Sequence, residues 1–361
     1  MTLLHTAPAV PGTGPAALPA DWYGAAPTPI GVDQAFNGFV AATVVHTLDR
    51  LGIWDRFTQS PCLDVPAFVR AVGPAARERV VREVLRAAAV CGWLRLEDGG
   101  DAAVLTDAGR ETLRMRGYFT WAVGGYSDVF SHAFRLASGE ASFGTDVLRD
   151  EAMVALGSGQ NDRNFMSGTL DEVLAGVDFG TLADLGSGMS ARLTRVVADR
   201  PGTRGLGLDI SGPATELAQR TIAEAGLKDR VRAVRADVLD VCHLEAHREA
   251  IAEVDTVMSF FLLHDLLADP VTRPHLFTRL REAFPAARTF VLADTMLRPD
   301  AENSATLPVF SLGYELAHAL MGVPLHTKET YEELFAAAGL HPVRTVPFGT
   351  PHSWLYVLEA R

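Results

Sequence analysis

The chain has 361 residues and is poor in cysteine, in positive charge and in long apolar runs. Its three cysteines, Cys62, Cys91 and Cys242, are too few and too scattered for a disulfide framework or a zinc knuckle. A net charge of −12 argues against nucleic acid as the main partner. No apolar run approaches the ~20 residues of a membrane span, and the start, MTLLHTAPAVPG, lacks the basic and apolar regions of a secretory signal. The sequence therefore predicts a cytoplasmic protein with neither a nucleic-acid nor a membrane partner.

The chain is long enough for two domains with a sizeable core, and its pattern changes three times. Residues 1–29 are rich in Ala and Pro and predict an irregular tail. Residues 30–116 combine short helices with a hairpin, and residues 117–178 are mostly helical with many aromatic side chains at their start. Residues 179–361 alternate strands and helices. We therefore expect a helical N-terminal domain, a helical linker that forms a lid over a pocket, and a C-terminal catalytic domain.

The pattern over residues 30–116 is typical of a winged helix. A helical periodicity starts at Asp33 and ends near Gly52. The later elements are the helix Val65–Val72, the helix Arg77–Cys91, a hairpin of Trp93–Leu96 and Ala103–Leu105, and a helix Ala108–Met115 capped by Thr106 and Asp107. A winged helix can bind DNA, but the presumed recognition helix is mostly apolar and the chain is acidic. A dimerisation and lid module is therefore the better interpretation.

The C-terminal pattern predicts an α/β fold with a doubly wound, Rossmann-like sheet. The strand candidates are Thr181–Leu185, Arg204–Asp209, Val231–Arg235, Val254–Phe261, Thr289–Asp294, Val343–Pro347 and Ser353–Glu359. A short turn with Gly349 and Pro351 joins the last two, so we expect them to form a terminal hairpin with one antiparallel strand.

The stretch TLADLGSGMS, residues 181–190, is a strand followed by a glycine turn and a helix start. Gly186 and Gly188 let the backbone approach a ligand, and the helix N-terminus behind them presents unpaired N–H groups. An NAD-binding fold is the alternative. It is disfavoured because Ser190 and Ala191 stand where a dinucleotide motif has a further glycine.

Three acidic residues lie at the ends of successive predicted strands: Asp184, Asp209 and Asp237. In open α/β sheets the ligand lies over these strand ends. An acid after the second strand can accept both ribose hydroxyls, and one after the third can accept an adenine amine. Each acid could instead cap a helix. Their common phase with the glycine turn favours a nucleoside-containing cofactor.

These motifs resemble the class I S-adenosylmethionine-dependent methyltransferases, and more narrowly the small-molecule O-methyltransferases with an N-terminal winged-helix dimerisation domain. The resemblance spans about Asp33 to Arg361 and rests on ADLGSG, LDI, ADV, LLHD and AAGL, which begin at residues 183, 208, 236, 262 and 337. It implies a homodimer that binds S-adenosylmethionine. The contacts it implies are Asp184, Gly186, Gly188, Asp209, Asp237 and Val238, with Phe260 or Phe261 packing nearby and Met166 as a cap. The family usually has a third glycine where this chain has Ser190.

The resemblance also assigns chemistry to the loop after the fourth strand. In the O-methyltransferases the position of His264 is the general base, a task that suits a neutral imidazole near pH 7. The supporting acid aligns with Asp294. The second supporting acid of the family falls near Leu325 or His326, so the O-methyltransferase apparatus is incomplete here.

A second histidine gives a different account. His318 lies on the apolar side of a predicted helix, Phe310–Met321, one turn after Tyr314. With His264 it resembles the metal-binding pair of the α-keto acid C-methyltransferases of nonribosomal peptide pathways. In that group the keto and carboxylate oxygens of the substrate complete the coordination of a divalent or non-haem metal such as Fe or Zn. The alternative for His318 is a hydrogen-bonded residue of the core.

The same resemblance implies further substrate contacts. Arg149, with Arg135 and Arg163 as alternatives, would bind the carboxylate, although Arg149 could also be a surface charge among nearby acids. Trp121 is the aromatic candidate for the side-chain pocket, and Tyr314 and Met321 would line the substrate cavity.

The sequence thus predicts methylation at C3 of a small α-keto acid, of phenylpyruvate or 4-methyl-2-oxovalerate type, in natural-product biosynthesis. A metal would stabilise the enolate, with Asp265 and Asp294 assisting proton removal. One alternative is O-methylation of a natural-product hydroxyl with His264 as base. Another is a non-catalytic winged-helix regulator that senses S-adenosylmethionine, which the LLHD motif and the lack of a basic helix disfavour.

Overall fold

The structure is a computed structural model that describes residues 29–73, 77–298, 307 and 309–361. The predicted tail lies outside the described residues except for its last position. The described residues divide into two compact units, one up to Gly168 together with Leu307 and one from Thr169 onward without Leu307. Within the described residues, no helix has the length and apolar character needed to cross a membrane.

The first unit is mainly helical. Its helices are α1 Val32–Arg50, α2 Ile53–Gln59, α3 Val65–Val72, α4 Glu78–Val90, α5 Asp107–Arg114, α6 Arg116–Phe119, α7 Ser127–Ser131, α8 Ala133–Ser138 and α9 Glu151–Asn161. Its short strands are β1 Cys62–Asp64, β2 Leu94–Glu97 and β3 Ala102–Leu105, which form an antiparallel sheet in the order β1-β3-β2. The predicted helices and the hairpin are confirmed to within a residue or two. Helix α2 and strand β1 were not predicted.

Two segments of the first unit are π-helical, Thr120–Gly125 and Asp162–Met166. Such widened turns are rare and occur frequently at functional sites. The core of this unit packs around Val45, Leu48 and Trp54, whose indole N–H donates to the backbone oxygen of Val45 at 2.9 Å. The N-terminal half of α1 lies outside that core, with Phe36 69% and Phe39 74% exposed.

The second unit contains the predicted doubly wound sheet. Its helices are α10 Ser167–Leu174, which begins at the boundary, then α11 Ala191–Ala198, α12 Gly212–Glu224, α13 Val241–Glu245, α14 Arg248–Ala252, α15 Leu263–Leu266, α16 Leu276–Ala283, α17 Ser311–Met321 and α18 Lys328–Ala337. Its strands are β4 Thr181–Leu185, β5 Arg204–Asp209, β6 Val231–Arg235, β7 Thr256–Phe260, β8 Thr289–Thr295, β9 Leu340–Pro347 and β10 Ser353–Ala360.

Among the described residues, seven strands form this sheet in the order β6-β5-β4-β7-β8-β10-β9. Strands β4 to β8 pair in parallel, and β10 pairs antiparallel with both β8 and β9, which confirms the terminal hairpin. The five residues of β7 are all buried, as expected for a parallel strand covered on both faces. The chain order reverses between β4 and β7, so the crevice beyond their carboxyl ends is the expected ligand position.

Candidate active site

The glycine turn after β4 needs two residues in the left-handed backbone region. Gly186 has φ 69° and Gly188 has φ 53°, a conformation that side chains rarely adopt. The N–H groups of Gly186 and Ser187 both donate to the backbone oxygen of Leu208, at 2.8 and 3.1 Å. A Cβ added to Gly186 would lie 2.9 Å from Leu262 Cδ2, so the turn packs directly against the loop that precedes His264. Glycine is therefore required here both for φ and for space.

Ser190 stands where the resemblance expects a third glycine. Its φ is 54°, which explains the usual glycine and costs a serine roughly 1–2 kcal/mol. The side chain is fully buried, and its hydroxyl donates to Ser187 Oγ at 3.1 Å, which offsets part of that cost. The turn therefore keeps its shape without the third glycine.

The three predicted acids follow neighbouring parallel strands. Asp184 is buried near the end of β4, and Asp209 ends β5. Asp209 accepts from the N–H of Gly188 at 2.8 Å through Oδ2 and from the N–H of Ser211 at 2.8 Å through Oδ1. Asp237 lies two residues after β6 and accepts from the N–H of Leu239 at 2.8 Å. Since each carboxylate oxygen has two lone pairs, Asp209 retains acceptor capacity for ribose hydroxyls.

The remaining predicted cofactor contacts lie in different places. Val238 is buried beside Asp237, and Phe260 is buried at the end of β7, where the guanidinium of Arg192 lies 4.0 Å from its ring centroid. Phe261 has φ 55° and stacks on Phe348. Met166 is buried in the first unit at the end of a π-helical segment. Their contacts with a cofactor stay predictions.

His264 lies at the same sheet edge, because α15 follows β7 directly. It is buried, and its ring Nδ1 lies 2.9 Å from Asp294 Oδ1. A carboxylate only accepts, so Nδ1 carries the hydrogen and Nε2 of the neutral ring carries the lone pair. Asp265, with 40% of its side chain exposed, has Oδ2 3.7 Å from His264 Nε2.

Asp294, on β8, is fully buried and accepts hydrogen bonds from four groups. Oδ1 accepts from His264 Nδ1 and from the N–H of Thr295 at 2.8 Å, and Oδ2 accepts from the N–H of His264 at 2.7 Å and the hydroxyl of Tyr331 at 3.0 Å. Burial, followed by the neighbouring Asp294, raises the pKa of Tyr331 well above its ordinary value, so Tyr331 stays a hydroxyl donor. This arrangement fixes both the backbone and the ring of His264.

His318 lies beside His264, as the resemblance predicts. The two ring centroids are 4.8 Å apart with the planes at 87°. His318 is buried, and its Nδ1 donates to the backbone oxygen of Tyr314 at 2.7 Å, because a carbonyl oxygen only accepts. The ring of Tyr314 lies 4.0 Å from that of His318. Met321 is half-buried at the end of the same helix.

The pair of imidazoles fits a metal that takes nitrogen ligands. Each ring donates its Nδ1 hydrogen to an oxygen, the arrangement that holds metal-ligating histidines in one tautomer with Nε2 as the ligand atom. Across the described ranges, no group of three or more His, Cys, Asp or Glu is arranged to hold a metal ion. A metal here would therefore take two imidazoles from the chain and its other ligands from substrate or solvent.

The predicted substrate residues of the first unit form a cluster of their own. Arg149 donates to the hydroxyl of Tyr126 at 3.0 Å, and the ring of Tyr126 lies 4.1 Å from that of Trp121. Arg149 also lies 3.8 Å from exposed Glu151. Burial and Arg116 lower the pKa of the competing Arg163. The structure thus brings Arg149 and Trp121 to the same residue, Tyr126.

The sequence did not predict a role for Tyr331. It lies on α18, 37 residues after Asp294, with which it bonds. From the sequence, an aromatic residue on an amphipathic helix predicts only that its side chain lies in the core. The hydrogen bond from its hydroxyl to Asp294 depends on how α18 packs against β8, which the local sequence does not encode.

His326 gives a stability prediction. Burial and Arg273 lower its pKa, while the bond to the backbone oxygen of Leu267 raises it in part. Below about pH 6.5 the unfolded chain binds more protons, so the free energy of unfolding falls as pH falls. We expect His326→Gln to reduce this slope between about pH 7 and 5, by a fraction of the ~1.4 kcal/mol per pH unit of one proton.

Urea denaturation at a series of pH values measures this slope. His275→Gln, which replaces an exposed histidine, is the matched control and should keep the wild-type dependence. A His326→Gln slope equal to the control slope would contradict the assignment.

Known proteins share this sequence pattern and fold. The O-methyltransferase domain model matches residues 123–341. A methyltransferase of Aspergillus campestris is 28% identical over 320 residues, which are 86% of this chain and 91% of that protein. An indolepyruvate C-methyltransferase of Streptomyces griseus is 28% identical over 340 residues, 91% of this chain and 95% of that protein. Human N-acetylserotonin methyltransferase, solved with S-adenosylmethionine, has a TM-score of 0.63 at 18% identity and covers 91% of this chain and 96% of that one.

Proposed function

The chain belongs to the O-methyltransferase domain family, and from this premise we propose that it methylates C3 of a small α-keto acid. The family and the relatives show an S-adenosylmethionine-dependent methyltransferase of natural-product type with a Rossmann-like fold. The acceptor is the part proposed here: a keto acid of phenylpyruvate, indolepyruvate or 4-methyl-2-oxovalerate type.

The observation that carries the proposal is the pair His264 and His318. Two buried imidazoles 4.8 Å apart, each donating Nδ1–H to an oxygen, support a metal held by two histidines. A 28% identical relative acts on indolepyruvate at carbon, and this supports the keto acid class.

A metal held by Nε2 of His264 and His318 would draw electron density from the keto oxygen and so make the C3–H bond more acidic. Asp265, beside His264 and partly exposed, takes up the C3 proton directly or through a solvent molecule. C3 forms a bond to the methyl carbon, and the carbon–sulfur bond breaks with its electrons going to sulfur, which gives S-adenosylhomocysteine. Asp294 holds His264 in place throughout.

The cofactor turn and Asp209 orient the methyl donor. Gly186 and Gly188 leave space for its approach, and Asp209, fixed by two backbone N–H groups, accepts from ribose hydroxyls. Within the first unit, Arg149 donates to the hydroxyl of Tyr126, whose ring packs against Trp121, and an arginine next to such an aromatic pair has the chemistry that an aryl-substituted keto acid requires.

The single experiment is product analysis with and without metal. Purified protein is incubated with S-adenosylmethionine and phenylpyruvate, indolepyruvate or 4-methyl-2-oxovalerate, and the product is identified by mass spectrometry and NMR. We expect a methyl group on C3, a loss of at least about 100-fold in rate after dialysis against a chelator, and recovery with Fe²⁺ or Zn²⁺. Full activity in the metal-free protein, or a methyl group only on oxygen, would reject the proposal.

O-methylation of a hydroxyl is the second candidate, and the His264–Asp294 contact favours it. An Asp-oriented imidazole is a suitable general base for a phenol. That reaction needs His264 but gives no role to His318. The product analysis above separates the two reactions, because one places the methyl group on oxygen and the other on C3.

We also propose that the protein is a homodimer paired through the first unit. The exposed apolar face of α1, with Val32, Phe36, Phe39 and Val40, supports this. Contiguous exposed apolar surface of this kind marks a protein–protein contact.

A further inference from the structure

A buried ion pair joins α17 to the segment after β8. Arg298 Nε lies 2.7 Å from Glu315 Oε1, and its second terminal nitrogen lies 2.7 Å from Glu315 Oε2. The backbone N–H of Arg298 also lies 3.3 Å from Glu315 Oε1. The side chains are only 6% and 14% exposed. A two-point, buried contact of this geometry fixes orientation as well as distance.

Each partner lies close in sequence to a residue that either orients or belongs to the candidate metal pair. Arg298 comes four residues after Asp294, which holds His264, and Glu315 comes three residues before His318 on α17. On a helix, positions three apart lie on adjoining parts of the surface. The ion pair therefore connects the segment that follows the strand of Asp294 with the helix that carries His318.

The residue before α17 has a rare backbone conformation. Phe310, immediately before it, has φ 73° and ψ −41°, a conformation that a phenylalanine holds only when surrounding contacts impose it. Hydrogen bonding from Glu315 raises the pKa of Arg298.

We propose that Arg298 and Glu315 are positioning residues that set the spacing of His318 from His264 for metal binding. This inference rests on the proposed function, since it assigns the pair to the same two-histidine site. Neither residue acts on substrate. Their contact holds α17 at one rotation and height, so that both Nε2 atoms reach one ion.

The test measures metal affinity in the apo protein. Co²⁺ is titrated into chelator-treated protein, and its visible absorption bands report both affinity and ligand geometry. The variants are the double R298M/E315M, which removes the pair without leaving a lone buried charge, and the charge-swapped double R298E/E315R. The matched control is R204M/E253M, which removes an exposed pair in the same unit.

We expect R298M/E315M to weaken Co²⁺ binding about 10- to 100-fold and to change the spectrum, as for other residues that orient metal-ligating histidines. The affinity for S-adenosylmethionine should stay within about twofold of wild type, and R204M/E253M should match wild type in both measurements. The charge-swapped double should recover most of the affinity. If R298M/E315M does not fold, the charge-swapped double tests the proposal by itself. A Co²⁺ affinity and spectrum like those of wild type support the positioning role, and a folded swapped protein with weakened Co²⁺ binding contradicts it.

Two further results overturn the inference in distinguishable ways. If wild type and H318A differ in Co²⁺ affinity but R298M/E315M binds like wild type, the positioning role is wrong and the metal site stands. If H318A binds Co²⁺ as tightly as wild type, the two-histidine site is wrong and the inference fails with it.

Discussion

His318→Ala is expected to lower kcat/KM for C-methylation of the keto acid by on the order of 10³-fold. The loss of one of two imidazole ligands removes roughly 4 kcal/mol of transition-state stabilisation. His318 makes its bond to the backbone of Tyr314 within its own helix, so the fold should tolerate the change. S-adenosylmethionine affinity should be unchanged.

Steady-state kinetics with mass-spectrometric detection measures this effect, and calorimetric titration measures S-adenosylmethionine binding. His326→Ala is the matched control, because it replaces another partly buried histidine of the same unit. Activity of His318→Ala within about threefold of that control would reject the role of His318 as a ligand. An O-methylating enzyme would instead lose activity in His264→Ala alone.

Asp294→Asn is expected to have the second largest effect, a loss of about 10²- to 10³-fold in kcat/KM together with lower stability. Asp294 accepts from donors on both oxygens, and an asparagine would place an NH₂ group against one of those donor pairs. When the NH₂ group faces His264 Nδ1, the Nδ1–H tautomer of that ring loses its acceptor. Leaving buried donors unpaired costs about 1–3 kcal/mol each.

Tyr331→Phe is the matched comparison for this change. It removes one donor to Asp294 Oδ2 and leaves both bonds to His264 in place. We expect a stability loss of about 1 kcal/mol and only a few-fold loss of activity. Denaturant unfolding measures the stability of both variants, and steady-state kinetics measures their activity. Equal activity losses would show that the contact of Asp294 with His264 does not contribute more to activity than the contact with Tyr331.

The bounds of three strands of the second unit could be predicted to the residue from the sequence alone. β4, β5 and β6 agree with their predicted bounds, because each is a short strand-forming run bounded by turn residues. β7 is shorter than predicted by two residues at its start and one at its end. The run of apolar residues continues past the last ladder hydrogen bond, so hydrophobicity alone did not mark the strand ends.

The first unit was predicted less completely. α2 has seven residues and β1 three, which is too short for a periodic pattern to stand out from the neighbouring sequence. Phe36 and Phe39 fit the helical periodicity of α1 but are exposed in the chain. The periodicity of a sequence predicts that one face of a helix is apolar, but it does not predict which part of the protein packs against that face.

The sequence by itself determined the part of the site that we propose to bind the cofactor. The glycine turn, Asp209 and Asp237 are local features at strand ends, and parallel strands bring their carboxyl ends to one edge of the sheet whatever the rest of the chain does. Only the tertiary structure decided the contacts that orient the chemistry: Tyr331 on Asp294, Arg298 on Glu315 and Tyr126 between Arg149 and Trp121. These pairs are separated by tens of residues or meet across different elements. Their formation depends on how helices pack on the sheet and on each other, which no local spacing encodes.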